Sequence, residues 1–487
     1  MLNLGDKLLQ YERQGLVSFH TPGHKGKAEF FTGLHFPVQD FTELPGLDML
    51  HSPVGVIARA QERAAEVYHS DASFFLVNGG TVGNQSMFLA LASLRKPGMS
   101  SQRKNKILVE RQSHRSVMSA LVLSELEPEY IPSIVHPEFR LPLGLRIEGT
   151  ERSLADFQGV HITYPGYYGT LPDLGTLIEK REACAPEVCI LVDQAHGSHY
   201  LNSFFPLGAL ELGADLVLCS THKTLSALTQ AAMLHVRGTR IPLSTIKSAL
   251  ELLQSSSPSY LLMASLERAV EYALDSTRWG LLYEAVQELH HRAGRNLRIL
   301  NPQDVGTYGI HKVDWSKILV NTKRLGVPAP LCVEHLRKDY GIDPELWDEE
   351  NILFLLGIGN TPEEIEILTE GLLSLEGLRK MITPGEGRIL KQEQAGDPTV
   401  LAGEMPLPTR RLTPRQAYFA KKRQIPLGES AGKILGESIS PYPPGIPLIV
   451  MGEEMTPEIL ELLALHKGRW QGWEDSGQGV VWVIEEV

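Results

Sequence analysis

Between about residues 70 and 240 the chain repeats one pattern: a short apolar run, then glycine or polar residues, then a stretch with helical spacing. The runs are SFFLV before NGG, KILVE before RQSHRS, VHIT before YP, CILVD before QAHG and DLVLC before STHK. Uninterrupted apolar runs suit strands buried on both faces, and their alternation with helices predicts a doubly wound, mostly parallel α/β sheet. Such sheets bind ligands beyond the carboxyl ends of their strands, where the polar residues after each run fall. A smaller α/β unit is expected near 310–380, with NILFLLGIGN as a strand and TPEEIEILTEGLLSLEGL as a helix. Thr361 can cap that helix, Pro362 suits its first position, and Glu364 completes a capping box. Periodicity is lost from about 386 to 412, which reads as a linker. The remainder holds a capped helix in TPRQAYFAKKR, the proline-rich PYPPGIPLIVMGEE and a closing strand, GVVWVIEE. A chain of 487 residues is too long for one core. The expected division is therefore 1–305 for an N-terminal segment plus a large domain, 306–385 for a small α/β domain, 386–412 for the linker and 413–487 for a C-terminal domain.

Charge narrows the partners. With 46 Lys+Arg against 58 Asp+Glu the net charge is −12, so the chain has no basic footprint for nucleic acid and favours cationic small molecules. No apolar run approaches the length that spans a bilayer, so no membrane partner is expected. The start, MLNLGDKLLQYERQG, lacks the basic, apolar and small-residue order of a secretory signal. Cys184, Cys189, Cys219 and Cys332 have neither disulfide-framework nor zinc spacing, which points to a reducing cytoplasm and no metal site.

The candidate chemistry lies at the predicted strand ends. Lys223, in STHKTLSALTQ, is placed in the turn after a strand, where a desolvated amine can form a Schiff base. Ser220 and His222 flank it and can donate to a phosphate. A lysine taken singly is more often a solvated loop residue. Asp193 changes that balance: it ends the run ILVD 30 residues earlier, room for one helix and one strand. A carboxylate there can keep a pyridine nitrogen protonated, and a lysine with such an aspartate is what a protein contributes to pyridoxal 5'-phosphate chemistry. Alone, the aspartate would read as a turn or helix cap. In FFLVNGGTVGNQ the backbone N–H groups of Gly80, Thr81 and Val82 can meet an anion at a helix N-terminus, although any tight turn between strand and helix favours glycine. His114, after KILVE, can stack on a pyridine ring, whereas a lone histidine is more often structural.

These residues resemble the ornithine/lysine/arginine decarboxylases of the aspartate-aminotransferase fold (fold type I). The block Ser220-x-His222-Lys223-x-x-Ser226-Ala227-x-Thr229-Gln230-Ala231-Ala232 is similar to the family's cofactor-lysine signature, with Leu218 larger than usual two residues before it. HTPGHKG, ELPGLDMLHSPVG, FFLVNGGTVGNQ, ITYPGYYGT, VDQAHGSHY, SSSPSYLLMASLE and PYPPGIPLIVMGEE follow in the family's order. The last block is absent from generic aminotransferases of this fold, and the chain looks like the smaller bacterial arginine/lysine decarboxylase branch without a response-regulator-like wing.

The resemblance implies an aspartate-aminotransferase-like large domain that binds pyridoxal phosphate, a small domain and a C-terminal decarboxylase-family domain. Lys223 would hold the cofactor covalently, Asp193 would pair with its ring nitrogen and His114 would stack on its ring. Ala195 would lie under the opposite face, and His196 would stand near the reacting nitrogen or the ring oxygen. Ser220, His222 and the Gly80–Thr81–Val82 turn would hold the phosphate, and Ser256 or Ser257 would reach that of a neighbouring subunit in a homodimer or higher even-numbered assembly. The implied reaction removes CO2 from a basic L-amino acid, with arginine slightly favoured over lysine or ornithine, and serves polyamine metabolism. Reprotonation would fall to His196 or Lys223. Candidates for the substrate's distal cation are Glu43, Asp48 and Glu437. Two departures stand out: Gln194 replaces the family's glutamate, and Met49 replaces an acidic residue beside Asp48. The competing readings are another pyridoxal-phosphate reaction, such as transamination or elimination, and a non-catalytic decarboxylase-like binding protein.

Overall fold

The computed structural model describes residues 17–19, 48–94, 105–147, 154–294, 297–381, 403–404, 407–442, 447–465, 469–474, 477 and 479–485. Each apolar run between 70 and 240 forms a strand of one seven-stranded sheet. In chain order the strands are β1 (Ala72–Leu76), β2 (Lys106–Glu110), β3 (Glu127–Ile131), β4 (Gly159–Thr163), β5 (Cys189–Asp193), β6 (Leu216–Cys219) and β7 (Ala232–Val236). They lie in the order β1-β7-β6-β5-β4-β2-β3, parallel except for β7, which is antiparallel to both neighbours. The expected mostly parallel α/β sheet is therefore what forms.

Period-two alternation sorts the strand residues between two cores. Cys189, Leu191, Leu216 and Leu218 join the core with Val82, Met87 and Phe88 of helix α1 (Gly79–Ser93), while Ile190, Val192, Val217 and Cys219 join the core on the other face. Gly83 lets α1 approach β6: a Cβ there would lie 2.4 Å from Leu218 Cδ1. Leu218 is thus accommodated by a glycine on the facing helix.

A four-stranded sheet built from residues 298–299, 317–321, 346–347 and 351–355 packs beside the large one, and its first strand precedes residue 306. Helix α6, Pro362–Met381, begins with the expected reciprocal cap, Glu364 N to Thr361 Oγ1 and Thr361 N to Glu364 Oε2. The helices in between include α2 (Arg115–Ser124), α3 (Leu174–Cys184), α4 (Thr221–Thr224) and α5 (Ser276–Ala293). Most of the expected linker lies outside the described residues, but Gly403–Glu404 pairs with Ser133–Val135.

The C-terminal segment has its own core, including Ile425, Leu435, Ile439, Val481 and Val483. It is tied to the large domain by a buried pair at the end of β2. Arg111 donates to both Glu453 oxygens at 2.7 and 2.9 Å and to Leu448 O at 3.0 Å, with its guanidinium 4.9 Å from the Tyr130 ring centre. Both side chains are almost completely buried. Removing one partner leaves the other charge uncompensated, so Arg111→Met or Glu453→Leu is expected to cost about 3 kcal/mol or more of stability. The double variant Arg111→Met/Glu453→Leu should recover most of that loss in urea unfolding; equal losses in single and double variants would contradict the pairing.

Candidate active site

Strand register sets out the site. Asp193 lies opposite Thr163 of β4 and Leu218 of β6, so three adjacent parallel strands end level. Its odd position puts its side chain on the α1 face, beside Cys189 and Leu191. There Oδ2 accepts from Asn84 Nδ2 at 2.8 Å and Oδ1 accepts from Ala195 N at 3.0 Å.

Lys223 lies in the one-turn helix α4 rather than in an open turn, because Thr221–Thr224 wind directly after β6. Its Nζ is 2.9 Å from His196 Nε2. Burial lowers the Lys223 pKa, and the charges of Asp193 and Glu345 oppose that shift. Burial also takes His196 well below the ordinary histidine range, assisted by the charges of Lys223 and Lys317, so its ring is neutral at neutral pH. The Tyr167 ring meets the His196 ring edge-on with centres 4.9 Å apart. His196 Nδ1 is buried without a hydrogen-bond partner.

His114 precedes α2 and caps it, its Nδ1 accepting from Ser116 N at 3.2 Å. Although its ring is open to solvent in the cleft, the surrounding protein takes its pKa down to about 4; desolvation dominates, the Lys223 charge acts with it and Asp193 against. Ala195 is buried in the turn between Asp193 and His196.

The turn before α1 has no side-chain cap. Asn78, the residue before α1, makes no capping bond and instead accepts from Ser255 N at 3.0 Å, leaving the first N–H groups of the helix without that cap. Val82 is buried, whereas the Thr81 side chain is exposed. A Cβ on Gly80 would come within 2.5 Å of Ser220 Oγ, so the absence of a side chain at Gly80 is what brings the serine hydroxyl beside the turn. His222 is oriented by a 2.9 Å bond from Nδ1 to Ala231 O.

The Asp48 carboxylate is engaged by the backbone, accepting from the N–H groups of Met49, Val54, Gly55, Ile57 and Ala58 and closing the loop before the helix Val56–Val67. Burial pushes its pKa up, but these bonds outweigh burial and hold it below its usual value. Glu437 accepts from Glu474 N and Trp482 N inside the C-terminal core. Glu43 and HTPGHKG lie outside the described residues. Ser256 and Ser257 are exposed on the loop that meets Asn78 of the same chain.

Geometry explains the departure at Gln194 and nothing in the structure explains the one at Met49. Gln194 donates from Nε2 to Gly197 O at 2.9 Å and accepts at Oε1 from Ala209 N at 2.8 Å. An ionised glutamate would lack the first donor, so the amide completes the turn carrying His196. Met49 is about half exposed, and its backbone N–H serves Asp48.

Residues 3–302 match the family described as Orn/Lys/Arg decarboxylase, major domain, and residues 401–483 match its C-terminal domain. The chain belongs to the Orn/Lys/Arg decarboxylase family. It is similar to the uncharacterised YaaO of Bacillus subtilis (strain 168), 35% identical with 94% of this chain and 92% of the relative covered. The same organism's arginine decarboxylase is 32% identical, with 96% and 95% covered. The solved lysine decarboxylase A from Pseudomonas aeruginosa shares the fold at TM-score 0.73 and 20% identity, over 99% of this chain and 80% of that one.

Several residues around this family member's lysine escape a sequence reading. Tyr167 Oη donates to Glu345 at 2.8 Å, bringing a carboxylate from the small-sheet region toward His196. Lys317, fully buried, donates to His196 O at 3.3 Å and lies 3.6 Å from Asp314; burial takes its pKa down to about 8 against the Asp314 charge. Asn84 carries the one retrievable signal, since it follows the NGG turn by about one helical turn.

Glu110, at the end of β2, is buried and accepts from Thr163 N at 2.6 Å. Burial raises its pKa from 4.5 to about 7, opposed by the Thr163 bonds. Its folded-state pKa is raised, so its contribution to stability is full below pH 4.5 and is lost as pH rises through about 7. Glu110→Gln keeps an acceptor for Thr163 and is expected to flatten this fall, gaining about 3 kcal/mol at pH 8 relative to its difference at pH 4.5. Urea unfolding at both pH values tests it; parallel pH dependences would refute the assignment.

Proposed function

We propose that this protein is a pyridoxal-phosphate-dependent decarboxylase of a basic L-amino acid, with arginine favoured, releasing CO2 and the corresponding amine. The observation that carries this reading is the 2.9 Å contact between Lys223 Nζ and neutral His196 Nε2, at strand ends level with Asp193. The surrounding residues fit the cofactor. The uncapped start of α1, with Gly80 and Ser220 side by side, suits a phosphate. Asp193 supplies a buried anion whose two oxygens are held by Asn84 and Ala195. His114 offers a ring in the same cleft, and His196 Nδ1 is a buried polar atom without a protein partner.

When bound, the cofactor supplies an electron sink for the charge left on Cα by loss of CO2. Burial shifts Lys223 toward the nucleophilic amine, and neutral His196 takes or returns the proton at Nζ. Asp193 keeps a negative charge where positive charge on a pyridine ring is to be stabilised. The substrate's cation needs a carboxylate, because burying it unpaired costs several kcal/mol. Glu345, held by Tyr167 Oη at 2.8 Å beside the ring that meets His196, is the carboxylate assigned here to that cation. Arginine is supported by the Bacillus subtilis arginine decarboxylase, similar over nearly the whole chain.

A role in polyamine metabolism, a cytoplasmic setting and assembly as an even-numbered oligomer complete the proposal. Assembly is supported by exposed Met49, Val54 and Leu252, on two segments joined by His51 Nε2 and Ser255 O at 2.9 Å.

Purified protein with pyridoxal phosphate should show a visible absorbance band that Lys223→Ala abolishes, and should release CO2 from arginine, lysine or ornithine. A band without CO2 from any of the three would overturn the decarboxylase reading. Glu345→Gln should raise KM for the accepted substrate about tenfold, with kcat within about threefold, as expected for loss of one charge pair. An unchanged KM would remove Glu345 from substrate recognition.

A further inference from the structure

The bonds between Asp193 and His114 form one continuous, directional chain. Asn84 Nδ2 donates to Asp193 Oδ2 at 2.8 Å and to Ser116 Oγ at 2.9 Å, while Asn84 Oδ1 faces His161 Nε2 at 3.3 Å. Ser116 Oγ lies 2.8 Å from His114 Nδ1, and Ser116 N donates to the same nitrogen at 3.2 Å. Asn84, Ser116, His161 and Asp193 are all buried, so water does not complete these valences.

Hydrogen placement follows from chemistry. A carboxylate only accepts, and Asp193 Oδ1 is already engaged by Ala195 N. The amide must therefore turn Nδ2 toward Oδ2, because the flipped amide would oppose two acceptors at 2.8 Å. Its second Nδ2 hydrogen then goes to Ser116 Oγ, and the serine's single proton is left for His114 Nδ1.

We infer that Asn84 and Ser116 are positioning residues that transmit the charge of Asp193 to His114 and lock its ring as the Nε2–H tautomer. With Nδ1 occupied as an acceptor, the ring proton of neutral His114 is on Nε2. Histidine 114 consequently presents a donor to the cleft and cannot serve there as a base. The base is left to His196, whose Nε2 faces Lys223. The low pKa of His114, about 4, agrees with a neutral ring at working pH. This division of labour rests on the decarboxylase reading; the tautomer itself does not.

The test uses the full-length protein labelled with [15N]histidine, at pH 7.5, without cofactor and again with pyridoxal phosphate. Long-range 1H–15N correlation spectra report each tautomer, and His114 is assigned by the signals lost in His114→Gln. The Nε2–H form should exceed the Nδ1–H form by about tenfold in wild type, the scale of one buried hydrogen bond. That ratio should fall by about tenfold in Ser116→Ala, which removes the hydroxyl donor to Nδ1, and by a lesser factor in Asn84→Leu, which keeps both Ser116 donors. A predominant Nδ1–H form in wild type overturns the inference, even if neither variant folds. An unchanged ratio in folded variants also overturns it. Because the first spectrum needs no cofactor or substrate, this failure is distinct from absence of CO2 release.

Discussion

A carboxylate buried at the end of a central strand must be met by donors, and much of this site is arranged around the donors that meet Asp193. One comes from the turn that follows, at Ala195, and the other from Asn84 on α1. The same helix begins at the turn proposed for the phosphate, so one rigid element fixes two ends of the cleft. Glycines at 80 and 83 allow it to sit against Ser220 and Leu218. A looser helix would move the anion turn and the Asp193 donor together.

Lys223 and His196 are governed by burial in a complementary way. Desolvation disfavours both cations, leaving two neutral-leaning nitrogens 2.9 Å apart that can exchange a proton. Lys317 supports this arrangement from behind by binding the His196 carbonyl, and Gln194 braces the same turn through Gly197. Further out, Arg111 and Glu453 fasten the C-terminal domain three residues before His114. The C-terminal domain is thereby attached beside the segment that carries a cleft residue.

Asp48 and Glu437 show how a plausible acidic residue can be claimed by the backbone. Both carboxylates satisfy main-chain N–H groups, one closing a loop before a helix and the other joining strands of a small core. Glu345 instead comes from a corner beside the small sheet, hydrogen-bonded to Tyr167 of the large domain.

The apolar runs of 70–240 determined by themselves that a mostly parallel sheet forms, since a run without polar interruption must be covered on both faces. Their polar ends exposed Lys223, Asp193, His114, His196 and the glycine turn as candidate chemistry, and the capping box at Thr361 fixed a helix start from local bonds alone. Tertiary structure decided what depends on long-range contact. Strand order brought Asp193 beside Leu218, and helix packing turned Asn84 toward Asp193. The fold also placed Lys317 and Glu345 around residues more than a hundred positions away. Periodicity records which face a residue presents; only the folded chain decides which distant partner meets that face, and so which buried charges are paired and which nitrogens carry protons.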